Sequence, residues 1–305
     1  MPDATAAANQ LTTVRDFLRW AMSEFRAAKL SHGHGTTSAI DEAAFLILET
    51  LHLPVDDINP WLDATLLESE RGAVAGIIAR RITTRMPAAY LVQRAYIHGV
   101  PFYVDQRVIV PRSYIGELMF TGVFDGEDAS LIEDTTSVTS VLDLCTGSGC
   151  LAIIAAGIFP DADVDAADLS SDALDVARIN VENHDFVNRI SLLQGDLFEA
   201  VEGRTYDLII SNPPYVAGGE VAAFPPEYGH EPIMAHIGGD DGLDIVRRIL
   251  EDAAEHLNPG GGLLCEIGTG RDMLVAEYPH LDFLWLDTEE SQGEVFWITR
   301  EQLLG

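Results

Sequence analysis

The chain is 305 residues long, 47% of them apolar, and carries 49 acidic against 18 basic residues, a formal net charge of −31. That length allows a sizeable core plus a smaller accessory domain, while no uncharged apolar run approaches the roughly 20 residues of a membrane helix. The start (Met1, Pro2, Asp3, Ala4, Thr5) lacks the basic region and apolar core of a secretory signal, so a soluble, cytoplasmic protein is expected.

The acidic surface repels phosphate backbones and suits a basic protein partner, so no direct nucleic-acid binding and no membrane contact are expected. General solubility or adaptation to high salt would account for the charge equally well. Lys29 is the only lysine; the other basic residues are arginines. The cysteines Cys145, Cys150 and Cys265 are odd in number and lack CxxC spacing, which points to reduced core residues and no metal site.

Residues 10 to about 85 read as helices. Leu11, Val14, Phe17, Leu18, Ala21, Met22 and Phe25 fall on one helical face. A second helix runs from about Ser38 to Leu51, with Ser38 and Asp41 placed to cap it, and a third from about Asp63 to Arg85. His32 and His34, two apart in a glycine-rich linker, read as loop residues. From 95 to 111 the period changes to one alternating set (Tyr96, His98, Val100, Phe102, Val104, Gln106, Val108, Val110), interrupted by Gly99-Val100-Pro101, which predicts a β-hairpin.

Residues 125–140 are polar and acidic and read as a surface loop. Beyond them strands and helices alternate. Strands are predicted at Ser140–Leu144, Val164–Asp168, Ile190–Gln194, Tyr206–Ser211, Gly262–Ile267, Phe283–Asp287 and Val295–Thr299, and helices at Cys150–Ile158, Asp172–Asn183 and Gly242–His256. The pattern predicts an α/β fold: a mostly parallel seven-stranded Rossmann-like sheet, its last strand antiparallel because only a short turn near Glu289–Gly293 precedes it. The expected organisation is a helical substrate-recognition domain at 1–94, a hairpin linker at 95–112 and a catalytic domain at 113–305.

Val141 to Cys150 is an apolar strand running into a glycine turn that opens a helix. Gly147 and Gly149 let backbone approach a ligand closely. Asp168 ends the next strand, 21 residues after Gly147, where a carboxylate can accept from both hydroxyls of a ribose. NAD and S-adenosylmethionine both carry such a ribose, so these residues alone do not separate them. Asp196 follows a third strand and is placed to accept from an adenine amino group, or to cap a turn.

Asn212-Pro213-Pro214-Tyr215 follows the fourth strand, whose C-terminal end should face the ligand crevice. An amide nitrogen is a poor nucleophile because its lone pair is delocalised. Methylating it calls for a grip on both N–H protons. Asn212 offers a side-chain carbonyl, and Pro213 a backbone carbonyl with no competing N–H. The prolines force the residues before them into extended geometry, and Tyr215 can lie against a flat amide. Positioning of this kind supplies roughly 7–11 kcal/mol of a barrier.

On these residues the chain resembles the N5-glutamine branch of the S-adenosylmethionine-dependent methyltransferases, from about Pro87 to the C-terminus. Pro87-Ala88-Ala89-Tyr90-Leu91, Phe102-Tyr103-Val104-Asp105, Tyr228-Gly229-His230-Glu231-Pro232 and Gly239-Asp240-Asp241-Gly242-Leu243 carry the resemblance along with the tetrapeptide. Pro111-Arg112-Ser113-Tyr114-Ile115-Gly116-Glu117-Leu118 is similar to the subfamily that modifies large-subunit ribosomal protein three, departing from it only at Tyr114, where that subfamily has proline. The resemblance implies S-adenosyl-L-methionine as cofactor. It implies that Cys145, Thr146, Gly147, Ser148 and Gly149 hold its methionine end, that Asp168 binds its ribose, that Asp196 and Leu197 border its adenine, and that Asp143 and Leu169 also belong to the cofactor site. It further implies that Asn212, Pro213, Pro214 and Tyr215 grip the glutamine, with Asn212 also beside the cofactor and Arg112 contacting the substrate. The competing expectations are the same reaction on the Gly-Gly-Gln loop of release factors, an adenine-N6 DNA methyltransferase, and a non-catalytic cofactor-binding scaffold for ribosome assembly.

Overall fold

The computed structural model describes residues 2–124, 130–288 and 291–305. The chain gathers into two compact units, Met1–Gln106 with Phe224–His230, and Arg107–Ala223 with Glu231–Gly305.

The first unit holds helices α1 (Ala4–Gln10), α2 (Val14–Ala27), α3 (Ala39–Thr50), α4 (Glu68–Thr84) and α5 (Ala88–Val92) and the hairpin β1 (Ala95–Ile97) and β2 (Val100–Phe102). Thr13 and Asp16 close a capping box on α2, and Ser38 accepts from the Asp41 N–H to start α3 as its position in the sequence predicts. Val14, Phe17, Leu18, Ala21 and Phe25 of α2 are buried against Leu46 and Ile47 of α3 and Val74 and Ile78 of α4. Leu11 and Met22 stay half-buried, Leu11 because it ends the separate short helix α1. Helix α4 starts at Glu68, later than the expected Asp63, and stops where Arg85 turns left-handed at φ 57°.

The hairpin is shorter than its periodicity predicts, and on its first arm the buried residues lie outside the alternating set. Ala95 pairs with Phe102 and Ile97 with Val100 across a two-residue turn at His98 and Gly99, both at positive φ. A two-residue turn sets residue i opposite i+3, so the inward parity flips from odd to even. Ala95 and Ile97 are therefore buried, while Tyr96 is half-buried and His98 exposed.

A buried ionic cluster joins the helices to the segment Phe224–His230. The Arg81 guanidinium, fully buried, donates to Glu42 at 2.7 and 3.3 Å and to the Ser31 carbonyl at 2.9 Å. Glu227, also buried, takes Arg85 at 2.7 Å and the Ser31 N–H at 3.0 Å. Burial pushes the Glu42 pKa up, but His32 and Arg81 outweigh it and hold the carboxyl below its ordinary value. His32 lies 3.4 Å from Glu42, a placement in an ionic network that its position in a glycine-rich linker does not reveal.

The second unit opens with α6 (Tyr114–Phe120). It continues through β3 (Ser140–Leu144), α7 (Cys150–Ile158), β4 (Asp163–Asp168), α8 (Ser171–Asn183), β5 (Ile190–Gln194) and β6 (Tyr206–Ser211). It ends with α9 (Asp244–Asp252), β7 (Leu257–Glu266), α10 (Arg271–Glu277), β8 (Leu284–Asp287), β9 (Gln292–Thr299) and α11 (Arg300–Leu304). The strands lie in the order β5-β4-β3-β6-β7-β9-β8, and β9 runs antiparallel to both its neighbours. The seven-stranded, mostly parallel sheet is thus as the alternation predicts. Of the predicted loop 125–140, residues 125–129 lie outside the described residues, as do Glu289 and Glu290 of the predicted last turn.

Strand order reverses between β3 and β6, and this positions the site. Leu144 pairs with Ser211, so the glycine turn after β3 and the tetrapeptide after β6 leave the sheet side by side at its C-terminal edge.

Candidate active site

A cavity of about 320 Å³ opens at that edge, within the size range of small-molecule sites. Cys145 and Gly147 line it from β3, Asp168, Leu169 and Ser170 from β4, and Asp196 and Leu197 from the turn after β5. Asn212 and Pro214 line it from the tetrapeptide, and Pro232, Met234, Ala235 and Ile237 form a further wall. The fold thus brings together residues spread over about ninety positions.

The glycine turn divides its work. Gly147 has φ 57°, and a Cβ there would meet nothing within 4 Å, so its backbone faces open space. Gly149, at φ 79°, starts α7, and a Cβ there would press to 3.1 Å on Ala177 of α8. Gly147 serves the cavity and Gly149 the close approach of two helices. Cys145 adopts φ 60°, a left-handed conformation that costs energy in any residue but glycine. Burial first, and the neighbouring Asp168 carboxylate second, push its thiol pKa well up, so it lines the cavity as a neutral group.

Asp143, Thr146, Ser148 and Gly149 do not line the cavity. Asp143 is fully buried beneath the turn, where its Oδ2 accepts from the Thr146 hydroxyl at 2.5 Å and the Ala152 N–H at 3.0 Å. Burial pushes its pKa up to about 7, only partly offset by those two bonds. A carboxyl whose folded pKa is raised keeps its full stabilising contribution below its unfolded value, near 4, and loses it as pH rises through about 7. Roughly 4 kcal/mol is lost in that window. Asp143→Asn should therefore leave the melting temperature little changed near pH 4 and raise it at pH 8; a difference independent of pH would refute the shifted carboxyl.

Asp168 closes the far side. Its Oδ2 accepts from the Gly147 N–H and its Oδ1 from the Ser170 N–H, both at 2.8 Å. Burial raises its pKa against these bonds. A carboxylate has about four acceptor sites, so these bonds leave acceptor capacity for hydroxyl donors. Asp196 Oδ2 takes Arg248 at 2.9 Å, and Leu197, at φ 51°, is buried beside it.

On the tetrapeptide, the Asn212 Nδ2 donates to the Arg112 backbone carbonyl at 3.3 Å. Pro213 and Tyr215 are not on the cavity wall. The Tyr215 hydroxyl donates to Glu266 at 3.0 Å, and its ring lies over Gly268, where a Cβ would come within 2.7 Å. Burial, then the Glu266 charge, push the Tyr215 pKa far above the ordinary phenol value, so the hydroxyl remains a donor. Glu266, at the end of β7, also accepts from the Ser113 hydroxyl at 2.8 Å and the Tyr114 N–H at 2.9 Å. Burial raises its own pKa to about 7. The Tyr114 N–H is a donor that a proline at this position cannot supply. Arg112 points its guanidinium at Glu231, in a two-pronged bridge of 3.0 and 2.9 Å.

Behind the tetrapeptide the backbones touch. A Cβ on Gly238 would sit 2.5 Å from the Pro214 carbonyl oxygen and 2.8 Å from Tyr215 Cα. Val216 extends the turn by pairing with the cavity wall, its N–H on the His236 carbonyl at 2.8 Å and its carbonyl on the Gly238 N–H at 2.9 Å. Gly238→Ala should displace Pro214 and lower kcat about 100-fold, the cost of a displacement of about 1 Å. Steady-state kinetics on a folded variant checks this.

Reading the residues in order does not reveal Glu231, Glu266 or the Pro232–Ile237 wall as parts of the site. Glu266 did leave a signal: it is an acidic residue closing the apolar run Leu263-Leu264-Cys265. Among the described residues there is no cluster of His, Cys, Asp and Glu that could hold a metal ion, and no helix long and apolar enough to cross a membrane.

Residues 124–224 match the methyltransferase small domain family. The chain is 54% identical over 303 residues to the ribosomal protein uL3 glutamine methyltransferase of Bradyrhizobium diazoefficiens, covering 98% of this chain and 94% of that protein. It is 54% identical over 299 residues to the protein of the same name from Neisseria gonorrhoeae, covering 98% of each. Among solved structures, the hMettl16 catalytic domain in complex with an RNA hairpin of the MAT2A 3′UTR aligns over 84% of this chain and 89% of its own, with a TM-score of 0.50 and 14% identity. That likeness is one of fold. With near-complete coverage at this identity, and the methyltransferase sheet in place, the chain belongs to the family of ribosomal protein uL3 glutamine methyltransferases.

Proposed function

We propose that this methyltransferase works in the cytoplasm, taking a methyl group from S-adenosyl-L-methionine to the side-chain amide nitrogen of a glutamine in ribosomal protein uL3. One observation carries the chemistry: the Asn212 carboxamide, its NH₂ tied to a backbone carbonyl, stands on the wall of the cavity that Asp168 and Asp196 also line.

The residues present fit the cofactor. Gly147 presents open backbone, Asp168 keeps acceptor capacity for ribose hydroxyls, and Asp196 with Leu197 offers an acceptor beside an apolar surface for adenine. Bound there, S-adenosylmethionine supplies a methyl group on a positively charged sulfur, which is a good leaving group. The chain supplies orientation. Asn212 Oδ1 accepts one N–H of the glutamine amide, and Pro214, beside it on the cavity wall, limits how the amide plane can turn. The apolar wall around Met234 and Ile237 keeps water from competing as acceptor. The choice of uL3 follows the names of the relatives, and a basic ribosomal protein complements the −31 charge.

Incubation of the purified chain with labelled S-adenosylmethionine and either uL3 or a release factor tests this reading. Label on uL3, mapped to one glutamine by mass spectrometry, is expected. Label on the release factor alone overturns the substrate, and label on neither overturns the activity.

A further inference from the structure

Resting on that reading, we propose that Glu231 is a positioning residue for the methyl acceptor: through Arg112 it fixes the carbonyl that turns Asn212 Oδ1 into the cavity. Glu231 is buried, and its two carboxylate oxygens face four donors or donor positions. Oε1 accepts from Arg112 Nη1 at 3.0 Å and from the Val110 N–H at 3.0 Å. Oε2 accepts from Arg112 Nη2 at 2.9 Å and lies 3.1 Å from His236 Nε2.

The stretch Val110–Arg112 is thereby fastened at two points to one carboxylate. Two planar groups joined by two bonds allow one relative orientation, where a single bond would allow rotation. One residue further on, Ser113 and Tyr114 are fastened to Glu266. The peptide carbonyl of Arg112 lies between the two anchors and has little room to tilt.

That carbonyl decides which way Asn212 faces. A carboxamide can flip end for end at small cost, exchanging an oxygen and a nitrogen of nearly equal size. Here a flip would set Oδ1 against the Arg112 carbonyl oxygen, acceptor against acceptor. The bond from Nδ2 at 3.3 Å therefore holds Oδ1 on the other side, toward the cavity that Asn212 lines. In the flipped form the glutamine amide would meet a donor where it needs an acceptor. The guanidinium of Arg112, which the family resemblance assigns to substrate, works in this structure by holding its own backbone. Glu231 also precedes the wall at Pro232–Ile237, and His236 of that wall accepts the Val216 N–H with its carbonyl, so one anchor serves both sides of the acceptor site.

Glu231→Gln tests this with little change of shape. It replaces one of the two acceptor oxygens with an NH₂ that opposes the Arg112 donors, so the fork breaks. The expected result is a kcat 10- to 100-fold lower for methyl transfer to the accepting protein. The dissociation constant for S-adenosylmethionine, by calorimetry, should stay within about threefold, because Glu231 does not touch that part of the cavity. Arg112→Lys, which keeps a charge on Glu231 but only one prong, should show a smaller fall in kcat and serves where Glu231→Gln does not fold. Unchanged kcat in the folded variants overturns the proposal, as does a fall in kcat matched by an equal loss of cofactor affinity, which marks a general structural role. A crystal structure of the variant separates this proposal from the assigned activity. If Asn212 still donates to the Arg112 carbonyl within 3.5 Å, the positioning role is refuted even when the wild type transfers methyl groups. If the wild type transfers none while that bond is lost in the variant, the assigned reaction fails and with it the role toward a methyl acceptor, while the orienting of Asn212 by Glu231 stands.

Discussion

Replacing Asn212 with alanine should lower kcat for glutamine methylation by roughly 10²–10³-fold, the usual cost of removing one preorganised group from a reacting centre. The reason is geometric: the amide substrate is a weak nucleophile, and the chain contributes mainly its orientation. Asn212 Oδ1 is the side-chain acceptor that the tetrapeptide places on the cavity wall, and its NH₂ is held by the Arg112 carbonyl at 3.3 Å. Asn212→Asp discriminates between acceptor count and orientation. It preserves an acceptor oxygen toward the cavity but sets its second oxygen against the Arg112 carbonyl, where two acceptors repel. Both variants should therefore be crippled. Near wild-type activity in the aspartate variant, from single-turnover measurements, would show that any acceptor suffices and that orientation through Arg112 is unimportant.

The largest effect on stability is expected at Arg81. Its guanidinium is fully buried, with Glu42 at 2.7 Å and Glu227 at 3.7 Å. Arg81→Met keeps most of the stem's volume but leaves two buried carboxylates short of their cation. Breaking a buried pair from one side costs about 3–5 kcal/mol, because the surviving charge stays desolvated. The melting temperature should fall by roughly 5–10 °C. Adding Glu42→Leu should restore part of the loss, since the penalty comes from the stranded charge rather than from a missing attraction. If the double variant melts lower than the single one, the cluster is stabilised mainly by the attraction itself, and the argument from desolvation fails.

The two sites show why some features were legible along the chain and others were not. The strand–turn segment Val141–Gly149 and the carboxylate Asp168 are local signals, because the proposed ribose site needs its glycine and its acid at fixed separations on consecutive strands. Helix starts such as Ser38 with Asp41 are local for the same reason: a cap acts over three residues. On the first arm of the hairpin the buried residues fall outside the alternating set because a two-residue turn flips the parity that simple alternation preserves.

Local pattern by itself determined the alternating α/β order, the antiparallel last strand, the glycine turn and the place of the Asn212–Tyr215 tetrapeptide at the end of its strand, since each depends on near neighbours or on residue type. The tertiary structure alone decided who partners whom. Glu231 meets Arg112 from 119 positions away, and Glu266 meets Tyr114 from 152 and Tyr215 from 51. A buried carboxylate must find donors wherever the fold brings them, and sheet order, not sequence distance, sets which donors those are. Thus Arg112, whose side chain resembles a substrate contact when read along the chain, became an internal clamp once folding placed Glu231 against it.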